Sequence, residues 1–338
     1  MSISVKVVNA DALQYETDVL ALKHAQGLYG VDLVVFRLLA EAGIDLRDQL
    51  PKIDGWLLVR SAQVVSAREI LFLGVPPLGI FDYQTIRKFS RAALATLKGQ
   101  RPAVKHLAMT LHGRGFGLDE AEAFRAEIAG LLDAVAAREA PPGLISVSIL
   151  ERDKNAAGRM TDLLRDILPA GVIEALPKVS GGPSASLDDA RTNLGAVGHD
   201  SRKKPHIFVA MPFADQYADR FHYGISGAVK TAGYLCERAD FASFTGDIIA
   251  WVKDRIGSAT LVVADLTSAN ANVYLEVGYA WGRGVDTILL IEEGHELKFD
   301  VHGQRCLRFR SIQDLEKRLT AELSLLRDYA TKSDEDDR

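Results

Sequence analysis

The chain has 338 residues, of which 48% are hydrophobic and 25% charged, and its formal net charge is -5. That is an ordinary globular composition with room for two domains, and the acidic balance excludes an electrostatic footprint for wrapping nucleic acid, leaving small molecules as the expected partners. Two cysteines, Cys236 and Cys306, cannot build a disulfide framework and have no metal-ligand spacing, so a cytoplasmic location with no bound metal or cofactor is expected. No apolar run is long enough to span a bilayer, and the opening MSISVKVVNAD lacks the basic start and apolar core of a signal peptide. No membrane partner is therefore expected, and no internal repeat is visible.

In chain order, strands are expected at 3–8, 55–65, 69–74, 105–111 and 144–150, with helices at 30–42, 82–98, 118–138 and 153–167. This alternation predicts an α/β layered domain. His112-Gly113-Arg114-Gly115-Phe116-Gly117 falls between a strand and a helix. Glycines there let backbone approach an anion, and the helix start offers unpaired amides to it; a turn that only reverses the chain is the competing explanation. The polar, glycine-bearing stretch 178–204 is read as a linker between a domain over 1–177 and another over 205–330, followed by a charged tail at 331–338.

The second domain predicts strands at 206–210, 234–237, 260–264, 287–291 and near 305–309, with helices at 218–232, 246–256, 272–283 and 311–326. That order describes a flavodoxin-like, doubly wound parallel sheet, whose ligands sit outside the carboxyl ends of the strands. Three loops open there, carrying Met211-Pro212-Phe213, Asp240, and Asp265 with Asn270. The helix after Asn270 is apolar nearly all round yet contains Glu276. Its positive end is expected to keep Glu276 ionised, suiting a nucleophile or cation stabiliser. The competing explanation is structural: Asp265 shapes the turn and Glu276 pairs with an arginine such as Arg283. The histidines His222, His295 and His302 have no ligand spacing.

Val8-Asn9-Ala10-Asp11, Asp18-Val19-Leu20, Gly27-Leu28-Tyr29-Gly30-Val31-Asp32 and the glycine loop through Gly117 together resemble a macrodomain across about 3–167. The resemblance implies a three-layer α/β fold and a pocket for ADP-ribose or a related nucleotide. It would set Asp11 near the adenine and the loops carrying Gly30, Gly113, Arg114, Gly115 and Gly117 around the phosphates; Lys23 and His24 are candidate phosphate partners by position. Where hydrolytic macrodomains carry an asparagine-rich motif, this chain has Leu22-Lys23-His24-Ala25-Gln26, which points to a sensor rather than a hydrolase.

Phe208-Val209-Ala210-Met211-Pro212-Phe213, the Ala264-Asp265-Leu266-Thr267 turn and Asn270-Ala271-Asn272-Val273-Tyr274-Leu275-Glu276-Val277-Gly278 resemble nucleoside 2-deoxyribosyltransferase-like proteins and the TIR-like domains of bacterial defence effectors. The resemblance covers about 205–326 and implies cleavage of the bond between a ribose C1′ and a nitrogen base. Glu276 matches the family's catalytic glutamate and Asp265 an acid lining the same pocket; Asp240 is a second candidate acid, while Phe213 or Trp281 could stack on the base. The combined expectation is a self-associating NAD glycohydrolase switched by an ADP-ribose-like nucleotide, as in antiphage defence. A deoxyribosyltransferase or nucleotide N-glycosidase, and a non-catalytic nucleotide-binding module, stay open beside it.

Overall fold

A computed structural model describes residues 2–113, 117–174, 187–239, 248–298, 301, 304 and 306–336, except the side chains of 174, 248 and 328–336. The chain divides into two compact units, one formed by residues 1–114 and 120–202, the other by 115–119 and 203–338. Each is a mixed α/β unit with its own sheet.

The first unit contains β1 (Ser2–Asn9), β2 (Thr17–His24), α1 (Gly30–Glu41), β3 (Trp56–Arg60), β4 (Ala67–Gly74), α2 (Tyr83–Gln100), β5 (His106–Thr110), α3 (Glu120–Ala136), β6 (Ser146–Glu151), α4 (Lys154–Ile167), β7 (Val172–Glu174) and α5 (Leu187–Asn193). Its seven strands run in the order β3-β4-β2-β5-β6-β1-β7. The central pairings are parallel, while β3 and β7 close the two edges antiparallel. Strand β2, buried on both faces, reads as a near-continuous apolar run, as parallel strands under two helical layers do. The sequence motif Asp18-Val19-Leu20 thus belongs to a strand that the pattern reading did not assign.

Helix ends follow local chemistry. Asp82 caps α2 by accepting the Thr85 N–H at 2.8 Å, and Asp153 caps α4 by accepting Asn155 N–H at 2.8 Å and Ala156 N–H at 3.2 Å. Helices α2 and α3 approach closely at Gly130, where a Cβ would lie 2.1 Å from the Arg87 carbonyl oxygen.

Part of the stretch expected to be linker is built into this unit. Residues 187–193 form α5, and Arg87 in α2 explains why the chain stays here. Its Nε and Nη2 donate to Asp133, and its Nη1 donates to the carbonyls of Leu194, Gly195 and Val197 at 3.0, 3.0 and 2.5 Å. Polar composition alone reads as linker, but a buried guanidinium needs acceptors and backbone carbonyls supply them.

The second unit contains β8 (His206–Ala210), a 3₁₀ turn at Asp215–Tyr217, a π-helical segment at Arg220–Ile225, α6 (Ser226–Thr231), β9 (Leu235–Glu237), α7 (Ile248–Gly257), β10 (Leu261–Asp265), α8 (Ala271–Gly282), β11 (Thr287–Glu292), β12 (Cys306–Phe309) and α9 (Ile312–Asp336). The helix expected over 218–232 is therefore broken into segments of different winding. Helix α9 continues to Asp336, ten residues beyond its expected end. The sheet is parallel throughout, in the order β12-β11-β10-β8-β9. Read from β9, this is the 2-1-3-4-5 flavodoxin-like order, whose switch point lies between β8 and β10.

Strand alternation sorts the core of this unit into two layers. Ile207, Val209, Leu261, Val263 and Leu290 pack with residues of α6 and α9, while Phe208, Ala210, Val262, Ala264 and Leu289 pack with residues of α7 and α8. Among the described residues, no helix is long and apolar enough to cross a membrane.

Replacing Arg87 by Met would leave Asp133 and three carbonyls without their donor. We expect a loss of about 3 kcal/mol in stability, with faster amide hydrogen exchange across residues 187–202 than elsewhere in the first unit. Unchanged exchange there would show that the guanidinium does not hold the segment.

Candidate functional site

Glu276 lies on α8, which starts from an Asn270 N-cap whose side chain accepts the Asn272 N–H at 2.9 Å. Before the cap, Ala269 is held at φ +50, a left-handed conformation costing roughly 1–2 kcal/mol for a residue with a Cβ. Strain of this kind concentrates where a loop must present groups in one fixed way. Val273, Val277 and Ala280 seat the helix on the α7/α8 layer of the core, and Glu276 is buried among this helix's inward residues at 7% exposure.

Among the described residues, no hydrogen bond or ion pair reaches Glu276. Burial alone pushes its carboxyl up to about 8, from an ordinary value of 4.5. This corrects the expectation that the helix start keeps it ionised: Glu276 is the sixth residue of α8, past the first turn to which the dipole's influence is confined. In the free protein burial therefore favours the protonated form. The competing expectation of an ion pair with an arginine such as Arg283 is not met either.

Asp265 stands in a different environment. It ends β10 on the same alternation as Leu261 and Val263, toward the α6/α9 layer. Arg220 Nη1 donates to its Oδ2 at 2.9 Å, and the Thr267 N–H donates to its Oδ1 at 3.0 Å. The same guanidinium reaches Glu292, the last residue of β11, and lies over the Phe309 ring at 5.0 Å. Asp265 is thus a 1% exposed anchor of the strand edge. The acid expected to line the pocket with Glu276 is therefore a carboxylate whose two oxygens accept from Arg220 and the Thr267 N–H. Arg220 was not singled out in the sequence; two acids ending neighbouring strands, Asp265 and Glu292, were the signal that a cation must lie between them.

The loop after β8 shows a similar division. Met211 is 5% exposed and belongs to the core layer of Ile225 and Val229, so it is packing rather than lining. Pro212 and Phe213 are half-buried. The Arg238 guanidinium carbon lies 3.7 Å from the Phe213 ring centroid and 3.8 Å from that of Phe221. A cation, not a base, therefore stacks on the Phe213 face that Arg238 covers. Trp281 is also relocated: its indole N–H donates to Thr287 Oγ1 at 2.8 Å, at the start of β11 and so at the opposite edge of the sheet. Five residues of helix, about 7.5 Å of rise, carry it away from Glu276. Asn272 is exposed one turn before Glu276 on the same helix side. Asp240 lies outside the described residues.

In the first unit, Asp11 turns the chain after β1 by accepting the Leu13 N–H at 2.9 Å. Lys23, proposed by position as a phosphate partner, is instead 5% exposed and paired with Asp32 of α1 at 2.6 Å. In that apolar strand a buried carboxylate answers its ammonium. His24 Nδ1 lies 2.9 Å from the Pro51 carbonyl. Gly30 and Gly113 hold φ values of +53 and +91, and Gly117, in the 115–119 segment that belongs to the second unit, holds +89; glycine adopts such values freely. Arg114 and Gly115 lie outside the described residues. His112 is 2% exposed against Phe89, with neither ring nitrogen hydrogen-bonded; burial, assisted by the charge of Lys23, holds its imidazole well below the ordinary range. Among the described residues, no cluster of histidine, cysteine and acidic groups could hold a metal ion.

No protein-family model matches the chain, and no curated protein matches it. Among solved structures, an Oceanobacillus iheyensis macrodomain with MES bound aligns at 16% identity over 49% of this chain and 97% of its own, with a TM-score of 0.39. A Trypanosoma brucei macrodomain in complex with ADP-ribose aligns at 16% identity over 48% and 69%, with a TM-score of 0.39. A Clostridium botulinum CMP N-glycosidase aligns at 18% identity over 35% of this chain and 98% of its own, with a TM-score of 0.30.

The raised Glu276 value makes a stability prediction with a definite sign. Because the folded value of about 8 exceeds 4.5, the folded state binds the extra proton. The contribution is complete below pH 4.5 and is lost as pH rises through 8. Between pH 5 and pH 9 this group should cost about 4 kcal/mol. Urea unfolding at the two pH values should show Glu276→Gln removing most of that difference.

Proposed function

We propose that the second unit cleaves an N-glycosidic bond between a ribose and a base, with NAD as the substrate and Glu276 as the group facing C1′. The observation that carries this reading is a buried carboxyl, with no partner among the described residues, near the start of the helix that leaves the switch point of a parallel sheet. A carboxyl in that state has no structural employment, and its site is where such sheets take ligands. The resemblance of the 205–326 stretch to deoxyribosyltransferase-like and TIR-like proteins agrees with it.

The chemistry follows from charge. Glu276 is protonated in the empty site, but a cationic nicotinamide ring beside it favours the carboxylate and drives the proton off. When the bond from C1′ to the ring nitrogen breaks, the bonding electrons leave with neutral nicotinamide, and the sugar carbon becomes cationic. The carboxylate stabilises that cation or closes on it as an ester. Water then adds its oxygen to C1′ and loses a proton, giving ADP-ribose. Nicotinamide needs no proton to depart, and Asp265, committed to Arg220, is in no position to supply one. This favours NAD over nucleosides whose neutral bases leave more readily with an acid's help.

The protonated state of Glu276 favours a second reading on its own. A carboxylic acid of that strength can hand its proton to a departing purine or pyrimidine, as a nucleotide N-glycosidase or deoxyribosyltransferase requires. For the first unit we propose a sensor role, in which its glycine-bearing loops hold an ADP-ribose-like nucleotide that controls the second unit. A cytoplasmic, self-associating effector of antiviral defence is the setting this combination suits.

Incubating the full chain with NAD, and separately with CMP and deoxynucleosides, each with and without ADP-ribose, tests these readings by base release. Nicotinamide should appear from NAD, and Glu276→Gln should lower its rate by at least about 100-fold. Release from CMP or deoxynucleosides alone would transfer the assignment to the second reading. An undiminished rate in the glutamine variant would remove Glu276 from the chemistry.

A further inference from the structure

We propose that residues 117–119 carry the state of the first unit's nucleotide loop to the helix layer that holds Glu276. This rests on the readings of the first unit as a sensor and of the second as an N-glycosidase, and it names the stretch of chain through which one controls the other. Residues 115–119 belong to the second unit, while the chain through 114 and from Glu120 onward belongs to the first. The loop between β5 and α3 is therefore shared: His112 and Gly113 stay with the first unit, and Gly117, Leu118 and Asp119 are buried parts of the second. Glu120, which opens α3, is held by Arg159 of α4 through two bonds of 2.8 Å, so the stretch is tied down on its first-unit side as well.

Inside the second unit the stretch makes two attachments. Gly117 holds φ +89 and lies so close to the Trp251 indole that a Cβ would come within 1.7 Å of Cη2, so a side chain is excluded by both conformation and space. Trp251, 7% exposed on α7, packs in the core layer that also contains Val273 and Val277, the residues that seat the Glu276 helix. Asp119 makes the second attachment, at the edge strand β9. There the Leu235 N–H turns inward to the Pro205 carbonyl, so the Cys236 N–H, one residue on, points away from β8. Asp119 Oδ2 accepts it at 3.1 Å, and Lys230 Nζ of α6 lies 3.8 Å from the same oxygen. A donor that an edge strand ordinarily leaves to water is thus closed by a buried carboxylate from a distant part of the sequence.

A stretch of chain shared in this way couples what it joins. An anion drawn onto the backbone at His112 and Gly113 reshapes a loop whose continuation cannot shift without pressing on the indole or breaking the Asp119 bond. Close-packed interiors answer such a push by moving between discrete arrangements, not by absorbing it. The indole's layer is the one that seats α8, so the placement of Glu276 is what the ligand biases. Linkage makes the effect reciprocal: a ligand in the second unit changes nucleotide affinity in the first by the same factor. Gly117, whose place in the glycine loop suggests a phosphate, gives its face to Trp251 instead.

The test uses the full chain with ADP-ribose as the probe. Calorimetry first reads binding; without it the sensor reading fails and the coupling falls with it. With ADP-ribose bound, amide exchange should slow by at least about threefold in α7 and α8 as well as in β5 and residues 117–119. Trp251→Leu removes the plate under Gly117 and lies outside the first unit. In that variant exchange in β5 should still slow on binding, while the protection of α7 and α8 is lost. Where a base is released, ADP-ribose should change the wild-type rate by at least about fivefold and the Trp251→Leu rate by less than about twofold. Binding that protects only the first unit, or a folded Trp251→Leu chain that keeps the full response, would overturn the coupling and leave the sensor reading standing. If Trp251→Leu does not fold, the wild-type exchange pattern decides alone. If no base is released from any substrate, the glycosidase reading fails while the exchange data still decide the coupling.

Discussion

A carboxyl group kept out of water with no cation beside it is the constraint on which the second unit's chemistry depends. Other buried acids among the described residues are answered: Asp265 by Arg220, Glu237 by Arg255, Asp32 by Lys23. Glu276 is answered, among the described residues, by nothing but a proton. The surrounding apolar residues of α8 hold it in place, and the price is a site that loses stability as the proton leaves. A ligand carrying positive charge, or developing it, reverses that balance, because it makes the ionised form the favoured one.

Strand alternation sets the division of labour around that group. Leu261 and Val263, which share the alternation of Asp265, pack with the α6/α9 layer, while Val273, Val277 and Ala280 seat the helix carrying Glu276 on the α7/α8 layer. The Asp265–Arg220–Glu292 cluster therefore ties two strand ends together rather than assisting proton transfer. A buried pair of this kind is costly to break from one side only, which keeps the edge rigid. Rigidity there is useful, since the Phe213 and α8 loops depart from the same edge.

The first unit stores its polar groups differently. Lys23 and Asp32 neutralise each other beneath the start of α1, and His112 sits uncharged against Phe89. Burial also pushes Glu127 in α3 up to about 8, only partly opposed by the His112 backbone N–H. What this unit presents is backbone held by glycines with positive φ, at Gly30 and Gly113. Backbone of that shape can approach an anion closely without a cationic side chain.

Periodicity and turn chemistry by themselves determined the α/β class of both units, the parallel order of the second sheet and the position of Glu276 on an apolar helix. These are local properties: an apolar run ending in Asp265, a cap at Asn270 and a helix repeat after it. Only the tertiary structure decided which partner each polar group found. Residues 187–193 read as linker until Arg87 gathers the carbonyls that follow them. Lys23 reads as a candidate phosphate partner until Asp32 pairs with it, and Met211 and Trp281 read as site residues until the core and Thr287 claim them. The reason is physical: a side chain's type and spacing fix what it can bond, but burial and the opposite faces of a sheet fix what is within reach.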